Sequence, residues 1–164
     1  MVEQLIATGV DDTAHDVTQT EPEPTATEAR RNLVVVGVDG SACSAKALAW
    51  AEEYAKTVGA DLALVIAWHW PTAYGEPIPF EDFTPEADAA EVLRKAAATL
   101  TLPSERVRLV VRQGAAGDVL VKASESARLL VVGCRGHGSL LKRVIGSTSI
   151  YCAHHAHCPV VIVR

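Results

Sequence analysis

Several hallmarks of other protein classes are missing from this chain. Its four cysteines (Cys43, Cys134, Cys152, Cys158) contain no Cys-x-x-Cys pair and sit in apolar or glycine-rich surroundings. That reads as reduced thiols rather than a disulfide frame. No stretch approaches the ~20 uncharged apolar residues that cross a bilayer. Met1-Val2-Glu3-Gln4-Leu5 carries neither the basic lead nor the apolar core of a secretory signal. The expectation is a cytoplasmic protein that does not enter a membrane. No basic stripe is present either, so nucleic acid is disfavoured as a partner.

What is present fits one globular domain. The 164 residues are 49% apolar and 21% charged, ordinary values for a packed core. The charge is unevenly placed. Residues 1–31 hold seven acids against Arg30 and Arg31 and carry the whole net charge of −5. Residues 32–164 hold 13 charges of each sign. The first segment also contains Thr18-Gln19-Thr20-Glu21-Pro22-Glu23-Pro24-Thr25, too polar to offset the entropy of ordering it. Residues 1–31 therefore read as an acidic, disordered tail and residues 32–164 as a single domain.

Strand and helix signals alternate from Asn32 onward. Leu33-Val34-Val35-Val36-Gly37-Val38 is a β-branched run ended by Asp39-Gly40-Ser41, a turn or helix start. Leu48, Ala51, Ala55 and Val58 recur at helical spacing, and Gly59 closes that helix. Asp61 to Trp68 is a second apolar run. A long connection with Pro71, Pro77 and Pro79 leads to a helix after Pro85. Val107 to Val111 and Leu129 to Val132 read as strands, with a short helix between them that Asp118 can cap. Ser147 opens a last helix reaching His154, and Pro159 to Val163 is a last strand. Apolar runs without alternation mean strands covered on both faces. The fold class is α/β: a doubly wound, five-stranded parallel sheet with helices on both faces. In such sheets ligands bind beyond the carboxyl ends of the strands, where the winding direction reverses.

Two strand ends carry glycine. One is Gly37-Val38-Asp39-Gly40-Ser41; the other is Gly133-Cys134-Arg135-Gly136-His137-Gly138-Ser139, followed by Gly146-Ser147-Thr148-Ser149. Glycine admits close approach to the backbone, successive amides in such turns form an anion site, and a helix start at Gly146-Ser147 favours phosphate. At the average glycine rate, three glycines at fixed offsets followed by Ser or Thr arise by chance in roughly one chain of this length in two hundred. The plain alternative is that they only make tight turns. Gly-x-x-x-x-Gly-Lys-Ser/Thr is absent, and Gly-x-Gly-x-x-Gly does not follow the first strand. A Walker-type or dinucleotide-binding Rossmann site is thereby disfavoured.

The spacing Gly133-x2-Gly136-x9-Gly146-Ser147, with the opening Val34 to Ser41 and the closing His154 to Val163, resembles the universal stress protein family, whose fold is adenine nucleotide alpha hydrolase-like. The resemblance covers about residues 30–164. It implies the strand order 3-2-1-4-5, a homodimer paired along Val160 to Val163, and ATP bound between the first and fourth strands. By position it places Gly37 and Asp39 against the adenosine and Ala67 against adenine. Gly133 would lie along the ribose and phosphates. Arg135, Gly136, His137, Gly138 and Ser139, with Gly146, Ser147 and Thr148, would ring the triphosphate. Some family members hold a divalent cation there, so Mg²⁺ or Mn²⁺ on the phosphates is implied as an option. One departure is His157, where many members have Pro.

Other candidates carry blander readings. Cys152, His154, His155, His157 and Cys158 could suggest metal, but the string belongs to the family resemblance and reads as structural. Cys134, flanked by Arg135, reads as a buried thiol with redox sensing as the alternative. Lys142 and Arg143 would screen phosphates or simply face solvent. Trp50, Trp68 and Trp70 read as packing or as the adenine side. Phosphoryl transfer needs positioned cations and an oriented nucleophile, and no such set is legible. The expected function is an ATP-binding stress-response or regulatory factor with unidentified protein partners and at most slow ATP hydrolysis. The alternatives are an interaction module of the same fold that binds no nucleotide, or a slow nucleotide hydrolase.

Overall fold

A computed structural model of the protein describes residues 32–70, 72–73, 76–77, 84–135 and 145–164. The acidic segment 1–31 lies outside the described residues. The elements run β1 (Leu33–Gly37), α1 (Ala42–Val58), β2 (Asp61–Trp68), β3 (Thr72–Ala73), β4 (Glu76–Pro77), α2 (Pro85–Ala97), a 3₁₀ turn (Ser104–Arg106), β5 (Val107–Gln113), α3 (Ala116–Ser124), β6 (Leu129–Gly133), α4 (Ser147–His155) and β7 (Val160–Val163).

Five of the strands form one parallel sheet in the order β5-β2-β1-β6-β7, which is 3-2-1-4-5 when only those five are counted. β3 and β4 make a small antiparallel pair within the proline-rich connection. The uninterrupted apolar runs of β1, β2 and β6 are buried because each has a neighbour on both edges and core on both faces. α1 and α2 cover one face, where Val34, Val36, Leu62, Leu64 and Leu93 are packed. The other face holds Val35, Val65, Leu120, Leu130 and Cys152 beneath α3 and α4. Among the described residues no helix is long and apolar enough to cross a membrane.

The helix punctuation matches its chemistry, with one correction. Ser41 caps α1, its hydroxyl accepting from the Ser44 N–H at 3.1 Å. Gly59 ends that helix at φ 69°, a left-handed position that side-chain-bearing residues resist, while the Ala60 N–H reaches back to the Ala55 carbonyl at 2.9 Å. Asp118, expected to cap α3, does not. The helix begins two residues earlier, capped at Ala115 without a side-chain bond. Asp118 sits in the first turn and accepts a hydrogen bond from the Tyr151 hydroxyl at 2.7 Å, which ties α3 to α4. A carboxylate in a first turn still complements the helix dipole.

α1 also buries an acid. Glu52 is almost enclosed, and its Oε1 accepts from the Thr101 N–H (2.6 Å), the Thr101 hydroxyl (2.9 Å) and the Leu102 N–H (2.9 Å). Burial pushes its pKa up, but these donors and the charge of Lys56 outweigh burial and hold it below the usual carboxylate value. Because the folded value is the lower one, the contribution is complete above the unfolded pKa of about 4.3 and is lost as pH falls through the folded value. Glu52→Ala is expected to cost about 2 kcal/mol at neutral pH, since two amides lose their acceptor. Urea unfolding of both proteins at neutral pH and near pH 3 should show that difference shrinking in acid.

Candidate functional site

The strand order reverses direction between β1 and β6, whose neighbours are β2 and β7 respectively. The carboxyl ends of these two strands open into a cavity of about 540 Å³, within the size range of small-molecule sites. From the first half of the chain, Gly37, Asp39 and Ala67 line it. Gly133, Arg135, Gly146, Ser147 and Thr148 line it from the second half. Eight expected residues therefore meet in one space. Gly136, His137, Gly138 and Ser139, with Lys142 and Arg143, lie outside the described residues.

Local chemistry explains each wall. Asp39 is half-buried, and its Oδ1 accepts from the Ser41 N–H at 2.9 Å, which folds the turn that starts α1. Its other carboxylate oxygen has no partner among the described residues. Ser44 joins the same turn, its hydroxyl donating to the Ser41 carbonyl at 3.0 Å and accepting from the Asp39 N–H at 3.4 Å. The Ser41 hydroxyl donates to the Arg135 carbonyl at 3.4 Å, joining the start of α1 to the segment after β6. The Gly146 N–H donates to the Cys134 carbonyl at 2.7 Å. α4 begins at Ser147 with no side-chain cap and no acid in its first turn. Its leading amides, which in a helix lack internal partners, thus border the cavity with no capping side chain among the described residues.

The motif glycines have different reasons to be glycine. A Cβ at Gly133 would stand 2.7 Å from the carbonyl carbon of Cys43 and 2.9 Å from the Ser44 nitrogen. Close packing of β6 against the start of α1 therefore accounts for that glycine without any ligand. Gly146 is the opposite case. Its φ is −66°, and an added Cβ would meet nothing nearer than the Cys134 carbonyl oxygen at 3.4 Å. Nothing in its described surroundings demands glycine there.

Sequence reasoning missed some of the lining. Ser44, Ser149 and Leu120 also face the cavity. Ser149 is buried and its hydroxyl donates to the Gly133 carbonyl at 2.7 Å, so it supports the strand end from beneath. A serine two residues after the motif's Ser147 was the available signal. Leu120 had none, because which helix face abuts Gly37 is decided in three dimensions. No tryptophan lines this cavity. Trp68 and Trp70 pack edge to face at 6.0 Å around a separate hollow, and Trp50 stacks on Tyr54. His154, His155 and His157 are exposed while Cys152 is fully buried in the core. Among the described residues no group of three or more His, Cys, Asp or Glu side chains could hold a metal ion.

The sequence model of the universal stress protein family matches residues 30–164. The chain belongs to the universal stress protein family. Universal stress protein Rv2624c of Mycobacterium tuberculosis is 32% identical over 139 residues, which is 84% of this chain and 50% of that protein. Universal stress protein Rv2005c of the same organism is 35% identical over 132 residues, 80% of this chain and 45% of that protein. This family member thus spans about half the length of the curated relatives it matches. Among solved structures, a universal stress protein in complex with cAMP is 27% identical with a TM-score of 0.61, covering 81% of this chain and 97% of that one. The universal stress protein UspA from Lactobacillus plantarum, 22% identical with a TM-score of 0.60 over 82% of this chain and 99% of its own, shares the fold.

Proposed function

We propose that this universal stress protein binds ATP in the cavity between β1 and β6 and acts as a nucleotide-dependent regulatory factor in a stress response. The observation that carries the reading is the convergence of Asp39, Ala67, Arg135 and the uncapped start of α4 on one space. The solved relative in complex with cAMP, an adenine nucleotide, supports it. Gly37, Asp39 and Ala67 would take the adenosine half, with the Asp39 oxygen that has no partner among the described residues suited to ribose hydroxyls. Arg135 and the amides of Ser147 and Thr148 would take phosphates, which a helix start favours. Mg²⁺ or Mn²⁺ would ride on the phosphates rather than on a protein cage. Among the described lining residues Asp39 is the lone carboxylate and Arg135 the lone cation, a poor set for phosphoryl transfer. Binding without rapid turnover follows.

Mass spectrometry of whatever co-purifies with the native protein, followed by calorimetry with ATP, tests this. Expected are a bound adenine nucleotide and saturable binding, with phosphate release near background. No nucleotide in the purified protein and no heat at millimolar ATP would sink the proposal. A phosphate-release rate well above background, lost in Ser147→Ala, would instead favour the hydrolase reading.

β7 lies at the edge of the sheet with half-buried Val160 to Val163 and a chain neighbour on one side only. Such an edge offers unpaired backbone groups to a partner, and a second copy about a two-fold axis satisfies them. Light scattering of the full chain at micromolar concentration should return a dimer mass; a monomer mass would count against the pairing.

A further inference from the structure

We propose that Cys43 and Cys134 form an oxidisable dithiol, and that its closure to a disulfide lowers nucleotide occupancy of the adjoining cavity; the second half rests on the nucleotide-binding reading above. The two sulfurs lie 3.6 Å apart although 91 positions separate the residues in sequence. A disulfide needs about 2.05 Å, so each sulfur would move by roughly 0.8 Å. The backbones are already in contact here, because Gly133, which precedes Cys134, packs directly on the Cys43 carbonyl.

The two thiols differ in a useful way. Cys43 is half-buried in the first turn of α1, whereas Cys134 is 5% exposed. Burial pushes the Cys134 thiol up, but hydrogen bonds from the Arg135 guanidinium and from Cys43, with the charges of Arg135 and Arg164, bring it net below the usual thiol range. The other two cysteines run the opposite way: burial pushes Cys152 up to about 11 and also raises Cys158. Thiolate character and exposure together govern susceptibility to oxidation; here Cys43 is the more exposed sulfur and Cys134 the one whose thiolate is favoured.

With hydrogen peroxide as oxidant the chemistry balances in two steps. In the fraction where Cys134 is deprotonated, the Cys43 sulfur attacks one peroxide oxygen while its proton passes to the neighbouring Cys134 sulfur. The O–O bond breaks, the departing hydroxide takes that proton as water, and Cys43 becomes a sulfenic acid. The Cys134 thiolate then attacks the Cys43 sulfur, the S–S bond forms, the S–O bond breaks, and the second hydroxide is protonated by solvent. Two electrons leave the sulfur pair and one peroxide becomes two waters. A thiol reductant reverses the state, as expected of the transient disulfides found in reducing compartments.

The bridge would act on the cavity through both walls. Cys43 precedes Ser44, which lines the cavity and accepts from the Asp39 N–H. Cys134 precedes Arg135, and its carbonyl holds the Gly146 N–H at the start of α4. Drawing the two sulfurs together pulls the Asp39 wall toward the Arg135 and Gly146 wall and locks the spacing. ATP affinity should fall about tenfold, in the ordinary range of site-to-site coupling.

The test uses the full chain with hydrogen peroxide, then peptide mapping without reduction, then ATP calorimetry on the reduced and oxidised forms. Expected are the loss of two hydrogens, a Cys43–Cys134 peptide pair, ATP binding weakened about tenfold, and recovery with dithiothreitol. Saturating ATP should slow bridging in return, because coupling is reciprocal. Cys43→Ser should keep ATP binding and lose its response to peroxide. Oxidation falling on Cys152 or Cys158 instead, or no bridge at all, would overturn the dithiol. A mapped bridge with unchanged ATP affinity would overturn the gating. Failure of both forms to bind ATP, with the bridge present, would overturn the gating by removing the nucleotide reading itself.

Discussion

Gly133→Ala should lower stability by about 3 kcal/mol, the upper part of the usual range for forcing a methyl into a packed site. The new Cβ would lie 2.7 Å from the Cys43 carbonyl carbon, 2.8 Å from its oxygen and 2.9 Å from the Ser44 nitrogen. All three are backbone atoms. They belong to a helix start pinned by the Ser41 cap and by the Ser44 hydroxyl, so no side-chain rotation relieves the clash. In a chain of this size the melting temperature should drop by roughly 10 °C. Thermal unfolding followed by circular dichroism checks it, and a drop of less than about 2 °C would mean that the helix start yields easily. Gly37→Ala is the informative contrast. Its Cβ would meet Leu120 Cδ1 at 3.0 Å, the end of a flexible side chain, and the cost should be well below that of Gly133→Ala.

Gly146→Asp should abolish nucleotide binding while leaving the fold as stable as before, or more so. The backbone at Gly146 is extended, with φ −66° and ψ 153°, and the space for a Cβ is ordinary. Aspartate is a preferred residue before a helix, where its carboxylate accepts from the first-turn amides and meets the positive end of the dipole. α4 has no such cap, and because glycine is itself a fair N-cap the expected gain is about 0.3 kcal/mol. The same carboxylate would occupy the amides proposed for phosphate and set like charge against it. Such juxtapositions cost several kcal/mol, which is at least about a 100-fold loss of affinity. The opposite signs are the strength of this test, since unfolding cannot account for lost binding in a protein whose melting temperature holds or rises. Calorimetry with ATP and thermal unfolding on one sample decide it. Retained ATP affinity in this variant would remove α4 from the site.

The two glycines also show how far the motif could be read from the chain. Gly133 and Gly146 look equivalent in the spacing that suggested a phosphate site. In the structure one is required by contact with a helix start, and the other is free to bear a side chain. The continuous apolar runs of Leu33–Gly37, Asp61–Trp68 and Leu129–Gly133 were legible because strands buried on both faces cannot alternate. Ser41 and Gly59 were legible as helix ends because capping chemistry is local. Asp118 misled for the same reason in reverse: its side chain had a partner on another helix, Tyr151, and partners distant in sequence leave no local trace. Glu52 on the apolar face of α1 gave no hint that the amides of Thr101 and Leu102 would enclose it.

Composition, periodicity and the glycine spacing by themselves determined the α/β class, the extents of the main elements and the residues to inspect at two strand ends. Those properties follow from near-neighbour chemistry along the backbone. The family resemblance supplied the strand order that sets β1 beside β6; only the tertiary structure decided that Leu120 walls the cavity, that Glu52 is enclosed by Thr101 and Leu102, and that Cys43 touches Cys134 across 91 positions. Adjacency of that kind comes from how the sheet and its crossovers pack, a global balance that no stretch of local pattern encodes.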